Sequence, residues 1–139
     1  MKQVFSCLML VVLIALFGTS AFAQDVRYKG SIVGKLESNG DIRINGSIKG
    51  KFESNGDIRI NGAIKGKIES DGSIRKNGAM VGKVESNGDV RVNGAIKGKI
   101  EANGDVRKNG AIIGNARGAD KYQAAVIYFY DFIADSPIQ

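Results

Sequence analysis

DIRINGSIKGKFESNG, from Asp41 to Gly56, decides the fold because it recurs. DVRYKGSIVGKLESNG precedes it from Asp25, and DIRINGAIKGKIESDG follows from Asp57. SIRKNGAMVGKVESNG from Ser73, DVRVNGAIKGKIEANG from Asp89 and DVRKNGAIIGNARGAD from Asp105 complete the series. These six sixteen-residue copies run without a gap, and the last loses the pattern after Gly114. A fixed period of this kind sets the architecture before any local pattern is weighed.

Within each copy the alternation has period two. Positions 2, 8 and 12 are apolar, as in Ile42, Ile48 and Phe52, and positions 6, 10 and 16 of the same parity are almost always Gly. The other parity carries Asp or Ser, Arg, Asn, Lys and Glu. Such alternation predicts half-buried strands, with glycines on the apolar face marking the tight corners of a small barrel. Asn39-Gly40, Asn55-Gly56, Asp71-Gly72, Asn87-Gly88 and Asn103-Gly104 are hairpin signals, since these residues tolerate positive φ. The expected fold is therefore an all-β repeat protein, in which five β-hairpin petals over residues 24–120 form a shallow closed barrel.

Apolar residues keep one parity across each of these dipeptides, so the loop must be odd or the strand bulged. An Asn-Gly-Asp loop of three residues would set Glu37 opposite Arg43, and likewise Glu53 and Arg59, Glu69 and Arg75, Glu85 and Arg91, and Glu101 and Arg107. Each such pair on the wet face contributes roughly 0.2–1 kcal/mol. Positions 4 and 9 vary together: Ile44, Ile60 and Val92 accompany Lys49, Lys65 and Lys97, whereas Lys76 and Lys108 accompany Val81 and Ile113. That linkage suggests two neighbours sharing one half-buried site.

Ahead of the repeats, Met1-Lys2-Gln3 is followed by an apolar run from Val4 to Phe17 and by Ala21-Phe22-Ala23. This is the order of a secretory signal peptide over residues 1–23, cleaved between Ala23 and Gln24. It predicts an exported protein of the periplasm, cell envelope or extracellular space. After the repeats, residues 121–135 are aromatic-rich and without Gly or Pro, reading as a buried hydrophobic helix, with residues 136–139 as a tail. A helix from Lys121 to Ala134 at about 1.5 Å per residue spans roughly 20 Å, short of a bilayer core of roughly 30 Å. The glycine-rich ring leaves its interior under-filled, so this helix is expected at the barrel's centre. Val126, Phe129 and Ile133 would then be its structural core, with Asp131 towards an opening.

Chemistry is thinly represented. The sequence holds no His, no Trp and a single Cys, Cys7, which leaves with the leader. That argues against disulfides, thiolate nucleophiles, imidazole acid–base catalysis and the usual zinc ligands. A repeat spreads identical groups evenly, whereas a catalytic site needs convergent unlike ones. The carboxylates stand beside Arg or Lys and read as solvated charge ladders. Gly46-Ser47-Ile48-Lys49-Gly50-Lys51 is no phosphate loop, since Phe52 stands where a hydroxyl must hold magnesium. No catalytic, cofactor-binding or metal-binding residue and no cofactor is expected. The net charge of +6 is interleaved with acid rather than gathered on one side, which disfavours nucleic acid. Anionic lipid or an envelope surface, and self-association, remain as partners.

Ser73-Ile74-Arg75-Lys76-Asn77-Gly78, Asp105-Val106-Arg107-Lys108-Asn109-Gly110 and Ala124-Ala125-Val126-Ile127-Tyr128-Phe129 together resemble the five-fold β-flower proteins, a family reminiscent of tubby-like domains. The resemblance implies hairpin petals around a central hydrophobic helix and brings no biochemical activity. A β-solenoid with sixteen-residue coils, like the bactofilin polymers, accounts for the same period. Three functional readings stand together: an exported non-enzymatic structural or binding module of the envelope, a membrane-associated protein whose C-terminal segment inserts into lipid, and a self-assembling solenoid.

Overall fold

The computed structural model describes residues 23–138. Twelve strands run in order: β1 (Gln24–Tyr28), β2 (Ser31–Leu36), β3 (Asp41–Ile44), β4 (Ser47–Phe52), β5 (Asp57–Ile60) and β6 (Ala63–Ile68). They continue as β7 (Ser73–Lys76), β8 (Ala79–Val84), β9 (Asp89–Val92), β10 (Ala95–Ile100), β11 (Asp105–Lys108) and β12 (Ala111–Asn115), and one helix, α1 (Lys121–Phe129), follows. Each strand pairs antiparallel with its sequence neighbours, and β1 closes on β12 through Arg27 with Asn115 and Tyr28 with Gly114. The copies are thus hairpins of a closed ring, not parallel coils of a solenoid.

The expected five-hairpin layout is replaced by twelve strands, because every copy carries two kinds of turn. At positions 5 and 6, Asn45-Gly46 and its equivalents both take positive φ, 51° and 82° for this pair. Two such residues make the type I′ turn whose twist matches the flanking strands. Lys29-Gly30 does the same in the first copy. The dipeptides at positions 15 and 16 instead end a three-residue Ser-Asn-Gly loop, in which only the glycine has positive φ, 97° at Gly40. The Glu37 amide donates to the Asp41 carbonyl at 2.9 Å, the Gly40 amide donates to the Glu37 carbonyl, and Asn39 Oδ1 accepts from the Asp41 amide at 3.0 Å. The asparagine is there for that side-chain acceptor, the role Asp71 fills for Ser73.

The loop is odd, as expected, but it begins one residue earlier. Glu53 therefore faces Asp57 across the strands, and Arg59 pairs with Lys51, which rejects the proposed direct opposition of Glu and Arg. The ion pairs form along the diagonal instead. Arg59 Nε lies 2.7 Å from Glu53, Arg107 3.2 Å from Glu101, and Arg43 and Arg91 each 3.4 Å from Glu37 and Glu85; Arg75 also bonds Glu69. Half-exposed on both sides, each is worth about 0–1 kcal/mol.

A second parity device sits in each hairpin closed by a two-residue turn. Ile42 pairs with Gly50 but Arg43 pairs with Ile48, so Lys49 is a β-bulge. The same shift recurs in all six hairpins. The bulge turns position 8 outward. Positions 2 and 12 are buried, Ile68 only partly, but Ile32, Ile48, Ile64, Met80, Ile96 and Ile112 stand 50–54% exposed. The reading that put all three apolar positions on one face holds for two of them.

Inside the ring, position 10 glycines are notches. A Cβ at Gly50 would fall inside the carbonyl oxygen of Arg59 and 2.9 Å from Ile60 Cδ1. Gly34 is covered in the same way by Ile44, while Gly66, Gly82, Gly98 and Gly114 receive Phe132, Tyr130, Phe129 and Tyr128 of the C-terminal segment. This arrangement replaces the expected site shared by positions 4 and 9. At the two seats that the tail does not fill, the position 4 Ile of the following copy covers the glycine. Nothing in the pairing explains the accompanying change at position 9.

Helix α1 is capped by Asp120, whose carboxylate accepts from the Tyr122 and Gln123 amides. It ends at Phe129 instead of continuing to residue 135, and Tyr130 leaves it in an extended conformation. That early end lets consecutive aromatics fan out to separate notches, which a continuing helix would not do.

Candidate functional site

Among the described residues, the plugged interior and the outer wall are the two surfaces built by the repeat and its tail. In the interior, Val126 and Ile133 are buried, Phe129 is half-buried with its ring against Gly98, and Asp131 is exposed. Tyr128 and Tyr130, which the sequence reading left out, are more buried than Phe129. Alternating ring positions in an aromatic run were the available signal. The Tyr128 hydroxyl donates to the backbone carbonyls of Arg27 and Asn115, the latter at 3.0 Å, and bridges the β1–β12 closure. The Tyr130 hydroxyl donates to the Arg91 carbonyl. Burial pushes the Tyr128 phenol upward and raises that of Tyr130 from 10.0 to about 12, so both stay neutral donors.

The segment beyond the helix is tied to the wall by lysines. Lys76 bonds the Asp131 carbonyl and lies 5.3 Å from the Phe132 ring centre, and Lys49 Nζ reaches Asp135 at 2.6 Å. That contact holds the Asp135 carboxyl below its usual range. Lys121 at the start of the helix donates to the Ser86 carbonyl at 2.6 Å. The tail is thus seated in the barrel. Among the described residues no helix is long and apolar enough to cross a membrane.

The outer wall repeats one unit. An arginine stretches along it, with Nε on the glutamate near the three-residue loop and Nη1 on the turn carbonyl, as Arg59 does with Glu53 and Gly62 at 3.2 Å. Beside it stands the outward residue of position 8, because Arg43 pairs with Ile48 and Arg75 with Met80. Between neighbouring hairpins this leaves a shallow groove, seen at Ile32, Gly34, Arg43 and Asn45, at Ile96, Gly98, Arg107 and Asn109, and at Ile48, Gly50, Arg59 and Asn61. It measures about 410 Å³ where position 9 is Val33 and about 170 Å³ where Lys49 occupies it. Among the described residues no three His, Cys, Asp or Glu side chains group closely enough to hold a metal ion. The wall can offer apolar contact framed by fixed charge, repeated around the ring. A single reactive centre has no counterpart in it.

Residues 42–121 match the family model described as Bactofilin, polymer-forming cytoskeletal. No curated protein and no solved structure matches the chain. The match corrects the β-flower resemblance: Ser73–Gly78 and Asp105–Gly110, two of the three stretches that carried it, lie inside the matched span, and Ala124–Phe129 lies beyond it. A sixteen-residue period with alternating apolar positions suits both families, so spacing alone did not separate them. The match also corrects the expectation of export, because a cytoskeleton is built inside the cell. Of the leader expected over residues 1–23, residues 1–22 lie outside the described residues, and Ala23 and Gln24 are the first two described. With more than half of its length under that model, the chain belongs to the bactofilin family of polymer-forming cytoskeletal proteins.

Proposed function

We propose that this chain is a non-enzymatic subunit of a self-assembled polymer, and that the belt of outward apolar side chains at position 8 makes contacts between copies. The observation that carries the reading is the belt itself. Six large apolar residues, each about half exposed, stand at equivalent places around one ring. Single exposed apolar residues need no explanation, but a repeated circuit of them marks an interaction surface. The bulge that exposes them occurs in every copy, so the exposure is built in by backbone register and not by one unusual side chain.

Self-association follows more naturally than a foreign ligand. The same unit is presented around the ring, and one copy can meet another through any of them. Ile48→Asp together with Ile96→Asp places charge on the belt without touching the interior. Sedimentation velocity of the full chain should then show loss of large species, with thermal melting unchanged. Unaltered assembly in that double variant would refute the belt as the contact.

A further inference from the structure

We propose that the seam where the ring closes, between β12 and β1, binds the doubly charged phosphate of a phosphate monoester. The site is separate from assembly, and it lies where the repeat breaks its own charge pattern.

Five of the six copies carry Lys at position 11 and Glu at position 13. In the ring, that Glu pairs with the position 3 Arg of the next copy, as Glu53 does with Arg59 at 2.7 Å. The sixth copy has Asn115 and Arg117 at these positions. Its neighbour around the ring is the first copy, whose position 3 is Arg27. The seam keeps the register of the other junctions, since Arg27 pairs with Asn115 as Arg59 pairs with Lys51. The Ala116 amide donates to the Gly104 carbonyl, just as the Phe52 amide donates to that of Gly40. Arg117 therefore follows at the place of the glutamate, and a second guanidinium replaces a carboxylate.

Among the described residues neither Arg27 nor Arg117 has a carboxylate partner, whereas Arg43, Arg59, Arg75, Arg91 and Arg107 each have one. Asp25 also lines the seam, but Lys35 engages it at 3.6 Å. Residues 1–24 include no Asp or Glu. Arg27 and Arg117 both line a cleft of about 640 Å³, with Asn115 beside them, against about 410 Å³ for the groove at Val33.

Elsewhere on the wall one carboxylate serves one guanidinium, so two guanidiniums call for two negative charges on one group. A phosphate monoester carries about −1.5 to −2 at pH 7 and offers three acceptor oxygens to the arginine forks. The volume beyond the phosphate itself leaves room for the organic part of the ester.

The test titrates the full chain with glycerol 3-phosphate at constant ionic strength, read by calorimetry and by the rise in melting midpoint. One site per chain is expected. Arg27→Gln removes a charge-assisted hydrogen bond and should weaken binding about tenfold or more. Arg117→Glu rebuilds the pair of the other junctions, so it should abolish binding while melting no lower than the unsubstituted protein. Arg59→Gln, away from the seam, should bind as before. Dimethyl phosphate, singly charged like the diester of most lipid headgroups, should bind about tenfold more weakly, and so should acetate. Undiminished binding by Arg117→Glu overturns the site, as does an absence of binding to the unsubstituted protein. Equal binding of dimethyl phosphate overturns the doubly charged ligand. A loss in Arg59→Gln as large as that in Arg27→Gln would mean diffuse positive charge and no built site.

Discussion

The ring and the tail solve the same packing problem by opposite means. The ring repeats one solution: at each copy an inward residue at positions 2 and 12 and a glycine notch at position 10. The tail is a single, non-repeating stretch that must fit six near-identical notches at once. It fills four, and Ile44 and Ile60 from the ring fill the other two. A repeat can close a barrel but cannot by itself fill the centre, since the chain that fills it has one direction and no symmetry.

Removing a tail ring from its notch should have the largest effect. Phe132→Ala leaves the Gly66 notch empty, and loss of a buried Phe costs about 3–5 kcal/mol. The expected outcome is a clearly lower midpoint in urea unfolding. A fall no larger than that of an exposed substitution would mean that the ring stands without its filling. Blocking a notch from the other side comes next. Gly82→Val drives a side chain into the Arg91 carbonyl and the Tyr130 ring, and overpacking of this kind costs about 1–3 kcal/mol. Thermal melting measures it, and Gly62→Val is the control, since a Cβ there meets nothing. The control still loses some stability through its positive φ of 83°.

The hydroxyls of the tail sharpen the comparison further. Tyr130→Phe removes the hydroxyl's bond to the Arg91 carbonyl and should cost about 0.5–1.5 kcal/mol. Burial raises the Tyr130 phenol, so the folded state holds its proton more tightly than the unfolded chain does. The associated stability is fully present below pH 10 and is lost as pH rises from 10 towards about 12. Unfolding followed between pH 8 and 12 should show this decline, and Tyr130→Phe should weaken it. The smallest effect belongs to the outer wall. Ile48→Ala, half exposed, should change stability by less than about 0.5 kcal/mol, while Phe52→Ala four residues later should cost about 3–5 kcal/mol. Equal losses would mean that position 8 faces inward after all.

Much of the fold was legible in the sequence, and its misreadings are specific. Period two predicted strands, the turn dipeptides predicted hairpins, and the Gly-free aromatic stretch predicted a buried helix. Each copy, however, holds two Gly-containing turns, and Asn45-Gly46 carries the tighter one as plainly in the sequence as Asn39-Gly40 carries the other. Counting only the second kind gave five hairpins. The outward belt was less legible. Ile48 and Phe52 share a parity, and only the bulge at Lys49 separates them. A bulge is a matter of which residue of the partner strand lies opposite, and no residue in the copy announces it.

The sequence by itself determined the period, the strands, the turns and the helix cap, because each depends on residues within one copy or one helical turn. Positive φ at Asn45-Gly46, an acceptor at Asn39 and a capping carboxylate at Asp120 act over at most a few bonds. Ring closure, the outward face of position 8 and the seating of Tyr128, Phe129, Tyr130 and Phe132 were decided only in the tertiary structure. They depend on contacts between residues far apart in the chain, such as Arg27 with Asn115 and Gly66 with Phe132. Local preference leaves such contacts open, and the packing of the closed barrel settles them, since each of the six notches is filled by one ring or aliphatic side chain at close range.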